Sequence, residues 1–253
     1  MNFAYATYYL TTRSLRETFR QPGVEVSNLF IPIFFFFVTV GALGGVAAGA
    51  FEIENYRGFA LPVAVLQGAA GAASSGGLGM VTDIERGYFD KLMLSPAPRL
   101  SLVLGRLVAD GVRVTILAIV ISTVALIFGA GMETGPGGFL ILILMSGAFG
   151  FTYSGIGMAI ALKTGSPQAA QVGFLVFFPL LFLSPAFAPK EFFEGWLQFL
   201  ATINPVTYIL EAQRSLVLDG WEWEKLGYSA AAIAGFGAFT LTLTMLALRT
   251  RTA

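Results

Sequence analysis

Six long stretches of this chain contain no charged residue, and this pattern restricts the possible folds more than any other feature. The stretches are 19 to 29 residues long, and a helix needs about 20 apolar residues to cross the hydrocarbon core of a bilayer. Only 12% of the residues are charged and 56% are hydrophobic, whereas about 25% of the residues of a soluble domain are charged. None of the stretches alternates in the way that strands of a membrane barrel do. The sequence therefore predicts an all-α membrane protein.

We expect a single transmembrane domain over residues 1–253 with six spans, because a backbone in lipid must satisfy its own polar groups. The expected spans are residues 26–51, 58–82, 102–132, 137–162, 167–189 and 226–248.

Residues 1–24 precede the first span and are predicted to form an amphipathic helix that lies on the membrane. At 100° per residue the aromatic side chains of Tyr5, Tyr8 and Phe19 share one face, and Arg13 and Glu17 lie opposite. A frayed tail with incidental aromatic residues is the alternative. The segment lacks the apolar core of a secretory signal peptide.

The distribution of lysine and arginine sets the orientation of the spans. Eleven of these residues fall on the side of the chain termini and four on the other side. Because cytoplasmic loops carry the excess of positive charge, both termini are predicted to be cytoplasmic.

The composition excludes several chemistries. The chain has no Cys and no His, which removes disulfides, thiolate and imidazole metal sites, and Ser-His or Cys-His catalysis. Its net charge is zero, so no basic field attracts nucleic acid, and no P-loop lysine motif is present. Acidic pairs occur only in loops, so no metal site is expected. The chain is predicted to be neither an enzyme nor a metalloprotein.

Charged residues are expected to stay out of the deep membrane. Asp110 and Arg113 lie three residues apart near the inner end of the third span and are predicted to form a local ion pair. Ion-coupled transporters usually need buried ionisable groups, so this class is disfavoured.

The cytoplasmic loop at residues 83–95 carries the clearest signs of a docking helix. Thr82 and Glu85 fit a capping box, and Ser95-Pro96 fits a stop. Ile84, Tyr88 and Leu92 would form an apolar ridge between charges of mixed sign. The helix either docks on a soluble partner or is a connector whose ridge packs against the spans, and the composition does not choose between these interpretations.

The outer segment at residues 190–218 is apolar but too short to span. Its charge-free run, residues 195–210, has the length of re-entrant or interfacial helices, and Asn204-Pro205 indicates a turn between two of them. Interfacial packing is the simpler interpretation and an external gate the second.

Small residues are frequent inside the spans. Gly41, Gly45 and Gly49 are four residues apart, and the second span is almost free of bulky side chains. Such faces allow close helix packing, an oligomer contact or room for a ligand, and the sequence leaves the three open.

Two motifs occur within this topology. The first is the stretch from Glu85 to Pro96, with the pattern ERG…L…L…SP, and the second lies nearer the C-terminus. The residues of the second motif are Pro179, Ser184, Pro185, Pro189, Trp196, Asn204, Pro205 and Tyr208. In this order the two motifs resemble the ERG…L…L…SP segment and the fifth-span signature of the membrane subunit of type-2 ABC exporters, close to the daunorubicin-resistance permeases. Tyr88 stands where many members carry Thr.

The resemblance implies a role for each segment. Residues 83–95 would be the coupling helix that seats in a separate ATPase subunit, residues 1–24 the elbow or connecting helix, and residues 190–218 part of outer re-entrant hairpins with a gate at the signature residues. The residues expected to contact the ATPase subunit are Asp83, Glu85, Arg86, Gly87, Tyr88, Asp90 and Lys91.

The expected function is therefore ATP-driven export of a hydrophobic or amphipathic cargo, drug or lipid-like, from a bacterial or archaeal cell by alternating access. Two ATPase subunits would bind ATP and Mg²⁺, with no cofactor on this chain, and a second permease copy or paralogue would complete the complex. Candidate cargo contacts lie on spans one, two and five. A polysaccharide or glycolipid exporter is the first alternative, followed by an ion-coupled secondary transporter and a non-transporting scaffold.

Overall fold

The computed structural model describes residues 2–20, 22–51, 53–95 and 97–252, and the regular structure in these ranges is entirely helical. The predicted all-α class is thereby confirmed. The helices are α1 (Phe3–Phe19), α2 (Pro22–Ala50), α3 (Tyr56–Glu85), α4 (Tyr88–Met93), α5 (Arg99–Ile127), α6 (Gly135–Thr164), α7 (Pro167–Phe182), the single 3₁₀ turn η1 (Lys190–Phe192), α8 (Gly195–Ile203), α9 (Pro205–Leu218) and α10 (Trp223–Thr252).

Among the residues that the structure describes, five helices are long and apolar enough to cross a membrane, one fewer than the sequence predicts. They are α2, α3, α5, α6 and α10, each of 29 or 30 residues. The sixth, α7, has 16 residues and is about 24 Å long, which is shorter than the roughly 30 Å of a hydrocarbon core. The predicted span at residues 167–189 therefore ends early as a helix, at Phe182.

Prolines and glycines end two helices before their charge-free stretches end. In α7 the Leu183 amide still bonds to the Pro179 carbonyl at 2.9 Å, but Pro185 follows two residues later and cannot continue the ladder. At the end of α5, Gly129 adopts φ 86°, a left-handed conformation that terminates helices. The predicted span at residues 102–132 thus stops at Ile127.

Helix α3 is the centre of the bundle. Of its apolar stretch 89% is buried, against 11% for α2 and 28% for α10, and α3 packs on α2, α5, α6, α7 and α9. A Cβ atom on Gly77 would lie 2.6 Å from the carbonyl oxygen of Gly157 in α6. The small residues of α3 therefore serve close helix packing, one of the three uses that the sequence left open.

The small residues of α2 behave differently. A Cβ atom on Gly41, Gly45 or Gly49 would meet no described atom within 4 Å. Nearby on the same helix, Phe30 and Phe34 are 63% and 56% exposed. The outward face of α2 is therefore both apolar and open along its glycine row.

The bundle has two ends, which we call the α1 end and the α9 end. The α1 end contains α1, α4, the last turns of α3, α6 and α10, and the first turns of α2, α5 and α7. The α9 end contains η1, α8 and α9 together with the opposite termini of the long helices.

Helix α1 lies against α5 at the first of these ends. Ala6 and Leu10 are buried, and the Thr11 hydroxyl donates a hydrogen bond to the Gly105 carbonyl at 3.0 Å. Tyr5 and Tyr8 are 63% and 71% exposed. Helix α1 ends at Phe19 rather than at residue 24, because Pro22 already begins α2. Its aromatic face is outward and its buried face covers α5.

Candidate functional site

The loop that was predicted to be one docking helix is divided by a glycine. Helix α3 continues to Glu85, Gly87 adopts φ 65°, and a short α4 begins at Tyr88. The Thr82 hydroxyl bonds to the Leu78 carbonyl within α3, so the predicted capping box does not form. The expected stop at Pro96 lies outside the described residues. The segment at residues 83–95 is thus the end of α3, a left-handed turn and α4.

Asp83 joins three helices inside the protein. Its carboxylate accepts hydrogen bonds from Arg13 of α1 at 2.6 and 3.0 Å and from Arg106 of α5 at 2.6 Å. The residue is only 5% exposed, so its carboxylate faces these two arginines inside the protein, and its expected contact with an ATPase subunit stays a prediction. The two-oxygen pairing with Arg13 is the strong, directional form of such bonds.

Arg13 also contacts the docking loop. Its guanidinium carbon lies 3.8 Å from the centroid of the Tyr88 ring, within the range of a cation–π interaction. The hydrogen bond to Asp83 raises the pKa of Arg13, so the guanidinium is firmly charged. Arg13 therefore connects α1, the end of α3 and the start of α4 in one cluster.

Four of the predicted contact residues remain on the surface. Glu85, Arg86, Asp90 and Lys91 are exposed. Leu94 is 88% exposed and is not among the predicted contact residues. Its apolar side chain in a charged loop is the sequence signal that could have identified it. These five side chains form the surface that we call the α4 face.

The apolar ridge of the loop takes part in packing. Ile84, Tyr88 and Leu92 are half-buried, and Ile84 packs against the core cluster at the α1 end. Phe89 is 3% exposed and anchors α4. The ridge thus packs against the bundle, as the connector interpretation predicts, whereas the side chains of the α4 face are exposed.

Charged residues do occur well inside α5, contrary to expectation. Arg113 lies about 21 Å along the helix from Arg99, and Asp110 and Arg113 are both buried. Arg113 donates to Glu25 of α2 and to the Ala72 carbonyl. The predicted ion pair between Asp110 and Arg113 is absent among the ion pairs of the described residues, because Glu25 takes its place.

A buried arginine organises the α9 end. Arg214 donates to the carbonyls of Phe59, Pro185 and Ala186 at 2.9 to 3.4 Å, and its guanidinium carbon lies 3.4 Å from the Phe59 ring centroid. Burial lowers its pKa to about 9. Arg214 is not among the predicted site residues. The one sequence signal for its role is that it is the only basic residue between Lys190 and Lys225.

Most of the signature residues at this end make turn and capping contacts. The Asn204 amide donates to the Leu180 carbonyl at 2.5 Å while its oxygen accepts from the Val206 amide, and Pro205 begins α9. Ser184 donates to the Leu181 carbonyl at 2.6 Å and Tyr208 to the Thr202 carbonyl at 2.6 Å. These bonds fix the turn after α7 and the turn between α8 and α9.

Two signature residues lie apart from this cluster. Trp196 of α8 is 63% exposed and donates only to Glu194, and Pro189 precedes η1. A cavity of about 560 Å³ opens beside Arg214 and is bordered by Glu211, whose pKa is raised by burial. The arrangement at the α9 end is thus a polar hollow covered by short helices.

Within the described residues, a bundle with five apolar helices of spanning length is that of a multi-pass membrane protein. Residues 5–218 match the family described as ABC-2 type transporter, and the chain belongs to that family.

Individual relatives agree with this assignment. The chain is 27% identical over 233 residues to "Daunorubicin resistance ABC transporter permease protein DrrB1" of Streptomyces coeruleorubidus, which covers 92% of this chain and 82% of that protein. It is 24% identical over 222 residues to "Probable doxorubicin resistance ABC transporter permease protein DrrC" of Mycobacterium tuberculosis, covering 86% and 79%. It is 29% identical over 225 residues to "Putative transport permease ycf38" of Cyanophora paradoxa, covering 85% and 74%. The expected resemblance to type-2 ABC permeases is therefore confirmed.

Proposed function

We propose that this chain is the permease subunit of an ATP-driven exporter that moves a hydrophobic or amphipathic cargo, drug or lipid-like, out of a bacterial or archaeal cell. The observation that carries the proposal is the family match over residues 5–218, together with relatives named for resistance to daunorubicin and to doxorubicin. ATP and Mg²⁺ bind to a separate ATPase subunit in this proposal, and two such subunits pair with two permeases.

The α4 face is the proposed contact with the ATPase subunit. It presents Glu85, Arg86, Asp90 and Lys91 beside the exposed Leu94, and an apolar side chain with a polar rim is the usual arrangement of a protein interface. Gly87 supports this role by placing the turn between α3 and α4.

The cluster behind the α4 face provides a route for movement to the membrane helices. Tyr88 lies under Arg13, Arg13 bonds to Asp83, and Asp83 bonds to Arg106 of α5. A displacement of α4 on ATP binding would therefore act on α1, α3 and α5 together, because all three helices share one carboxylate.

The outward face of α2 is the proposed side toward the second permease and the cargo. Its exposed side chains include Phe30, Phe34 and Phe35, and its open glycine row allows close approach of another helix. Span two, which is α3, is almost wholly buried, so we place the cargo contacts on α2 rather than on α3. This apolar face suits a hydrophobic or amphipathic cargo.

At the α9 end we propose an outer re-entrant segment and gate. Helices α7, α8 and α9 are each too short to span, and α7 with the turn after it would complete the sixth crossing. Arg214 holds this turn to α3. Both termini are proposed to be cytoplasmic, with α1 as the elbow helix on the inner surface.

One observation favours a second candidate, an ion-coupled transporter. Asp110 is buried and its Oδ2 atom has no hydrogen-bond partner among the described residues, and buried carboxylates mark ion pathways in membrane proteins. This candidate predicts transport in vesicles that contain the chain without any ATPase subunit.

The deciding experiment is purification of the tagged chain from its own host membranes, followed by mass spectrometry. A P-loop ATPase at about equal amount supports the exporter. The double variant Asp90→Lys, Lys91→Glu should lose the ATPase subunit, whereas the control Arg57→Glu, an exposed residue at the other end of α3, should retain it. Absence of an ATPase from the folded wild-type chain would overturn the proposal.

A further inference from the structure

A basic cleft of about 690 Å³ lies on the exposed side of α1, between that helix and the turn after α3. Its volume is in the range of small-ligand sites. The side chains that give it chemical character are Arg16, Arg20, Arg86, Tyr8, Tyr9 and Thr12.

Three arginines in the cleft form no ion pair with any acidic residue that the structure describes. Arg13 and Glu17 also border it, but these two are occupied by Asp83 and Arg106. Among the ion pairs of residues 2–20, 22–51, 53–95 and 97–252, none involves Arg16, Arg20 or Arg86. All three are exposed, so the cleft holds uncompensated positive charge.

The rim of the cleft is aromatic. Tyr8 and Tyr9 are 71% and 57% exposed, and Tyr5 and Phe19 on the same face of α1 are 63% and 66% exposed. Exposed aromatic rings of this kind occupy the headgroup level of a bilayer. An acidic protein surface would match the arginines but would leave these rings without an apolar environment.

The geometry points to a binding site for the phosphate of an anionic phospholipid, held by Arg16 and Arg20 of α1 and by Arg86 at the end of α3. A guanidinium group can donate two parallel hydrogen bonds to one phosphate. The hydroxyls of Tyr8 and Tyr9 in the cleft add further donors. Basic side chains beside a membrane attract anionic lipids. Because Arg86 belongs to the α4 face, the bound lipid would also tie α1 to the docking loop.

The site can be tested with the full chain purified in detergent and freed of lipid. Native mass spectrometry with added phosphatidylglycerol or phosphatidylcholine counts the bound lipids. We expect the wild-type chain to bind phosphatidylglycerol at least about tenfold more tightly than phosphatidylcholine. The triple variant Arg16→Gln, Arg20→Gln, Arg86→Gln should lose this preference, and the lysine version of the triple variant should retain most of it.

Two controls distinguish lipid binding in this cleft from a general effect of surface charge and from misfolding. Arg57→Gln removes one exposed arginine from the opposite end of α3 and should leave the lipid preference unchanged. Helix content by circular dichroism verifies that each variant is folded. Unchanged preference in the folded glutamine variant overturns the assignment. Loss of a bound ATPase subunit with unchanged lipid preference also overturns it, because the cleft would then be a protein contact.

Discussion

The guanidinium of Arg13 lies 3.8 Å from the centre of the Tyr88 ring and bonds through both terminal nitrogens to Asp83. Helix α1 and the docking loop are therefore connected by one side chain, although the two residues are distant in sequence. Arg106 binds the same carboxylate from α5. The carboxylate of Asp83 therefore joins α1, α3 and α5 at the α1 end.

Loss of the Asp83 carboxylate should have a large effect on stability. Asp83→Ala removes the carboxylate that binds Arg13 and the buried Arg106. Among the described residues it leaves Arg106 with only the longer 3.5 Å ion pair to Glu17, and breaking a buried pair costs about 3–5 kcal/mol. The measurement is thermal unfolding of the purified chain in detergent. Asp90→Ala, an exposed aspartate of the same loop, should change the melting temperature little. Equal effects of the two substitutions would contradict the role given to Asp83.

Gly87 offers a clean measurement of backbone strain. A Cβ atom there would meet nothing within 4 Å, yet φ is 65°, so Gly87→Ala should cost about 1–2 kcal/mol from conformation alone. Gly87→Asn should cost less, because asparagine tolerates this region. The measurement is again thermal unfolding in detergent. If alanine and asparagine cost the same, the turn adopts another conformation.

Arg214→Lys should loosen the α9 end. Lysine keeps the charge but cannot reach the Phe59, Pro185 and Ala186 carbonyls with one planar group. We expect faster proteolysis between α7 and η1 and a loss of stability of about 1–3 kcal/mol. Arg57→Lys, at an exposed position near the same end, should alter neither. Resistance to proteolysis equal to that of the wild-type chain would show that the hydrogen bonds of Arg214 are not needed to hold this segment.

Glu211 should give the chain a specific pH dependence. Its pKa is raised by burial, so the folded state holds this proton more tightly than the unfolded state. Its contribution to stability therefore decreases as pH rises above the unfolded value near 4.5 and levels off above the folded pKa. Glu211→Gln should remove this slope on the alkaline side of the unfolded value in thermal unfolding. A slope unchanged in the variant would assign it to another group.

The orientation can be tested directly because the chain contains no cysteine. The single-cysteine variant Lys91→Cys should not react with a membrane-impermeant maleimide in intact cells, whereas Asp219→Cys should react. Both should react after the cells are opened. The reverse pattern would invert the proposed topology.

Charge-free stretches in the sequence determined the helical class, because the lipid forces each of them to be a helix and apolarity is a local property. The family was indicated by the two motifs at residues 85–96 and 179–208. The charge-free stretches overestimated the length of two helices, which end at Phe182 and Ile127 because a proline and glycines interrupt the apolar sequence there. Absence of charge measures compatibility with lipid, not the length of a helix.

Only the tertiary structure decided which charged residues are exposed and which pair with one another. Asp83 and Asp90 are indistinguishable in the sequence of the loop, yet one is buried under two arginines and the other is exposed. Arg113 likewise bonds to Glu25, 88 residues away, rather than to its neighbour Asp110. The physical reason is that a buried charge must be paired, and its partner is supplied by whichever helix the packing of small residues brings near.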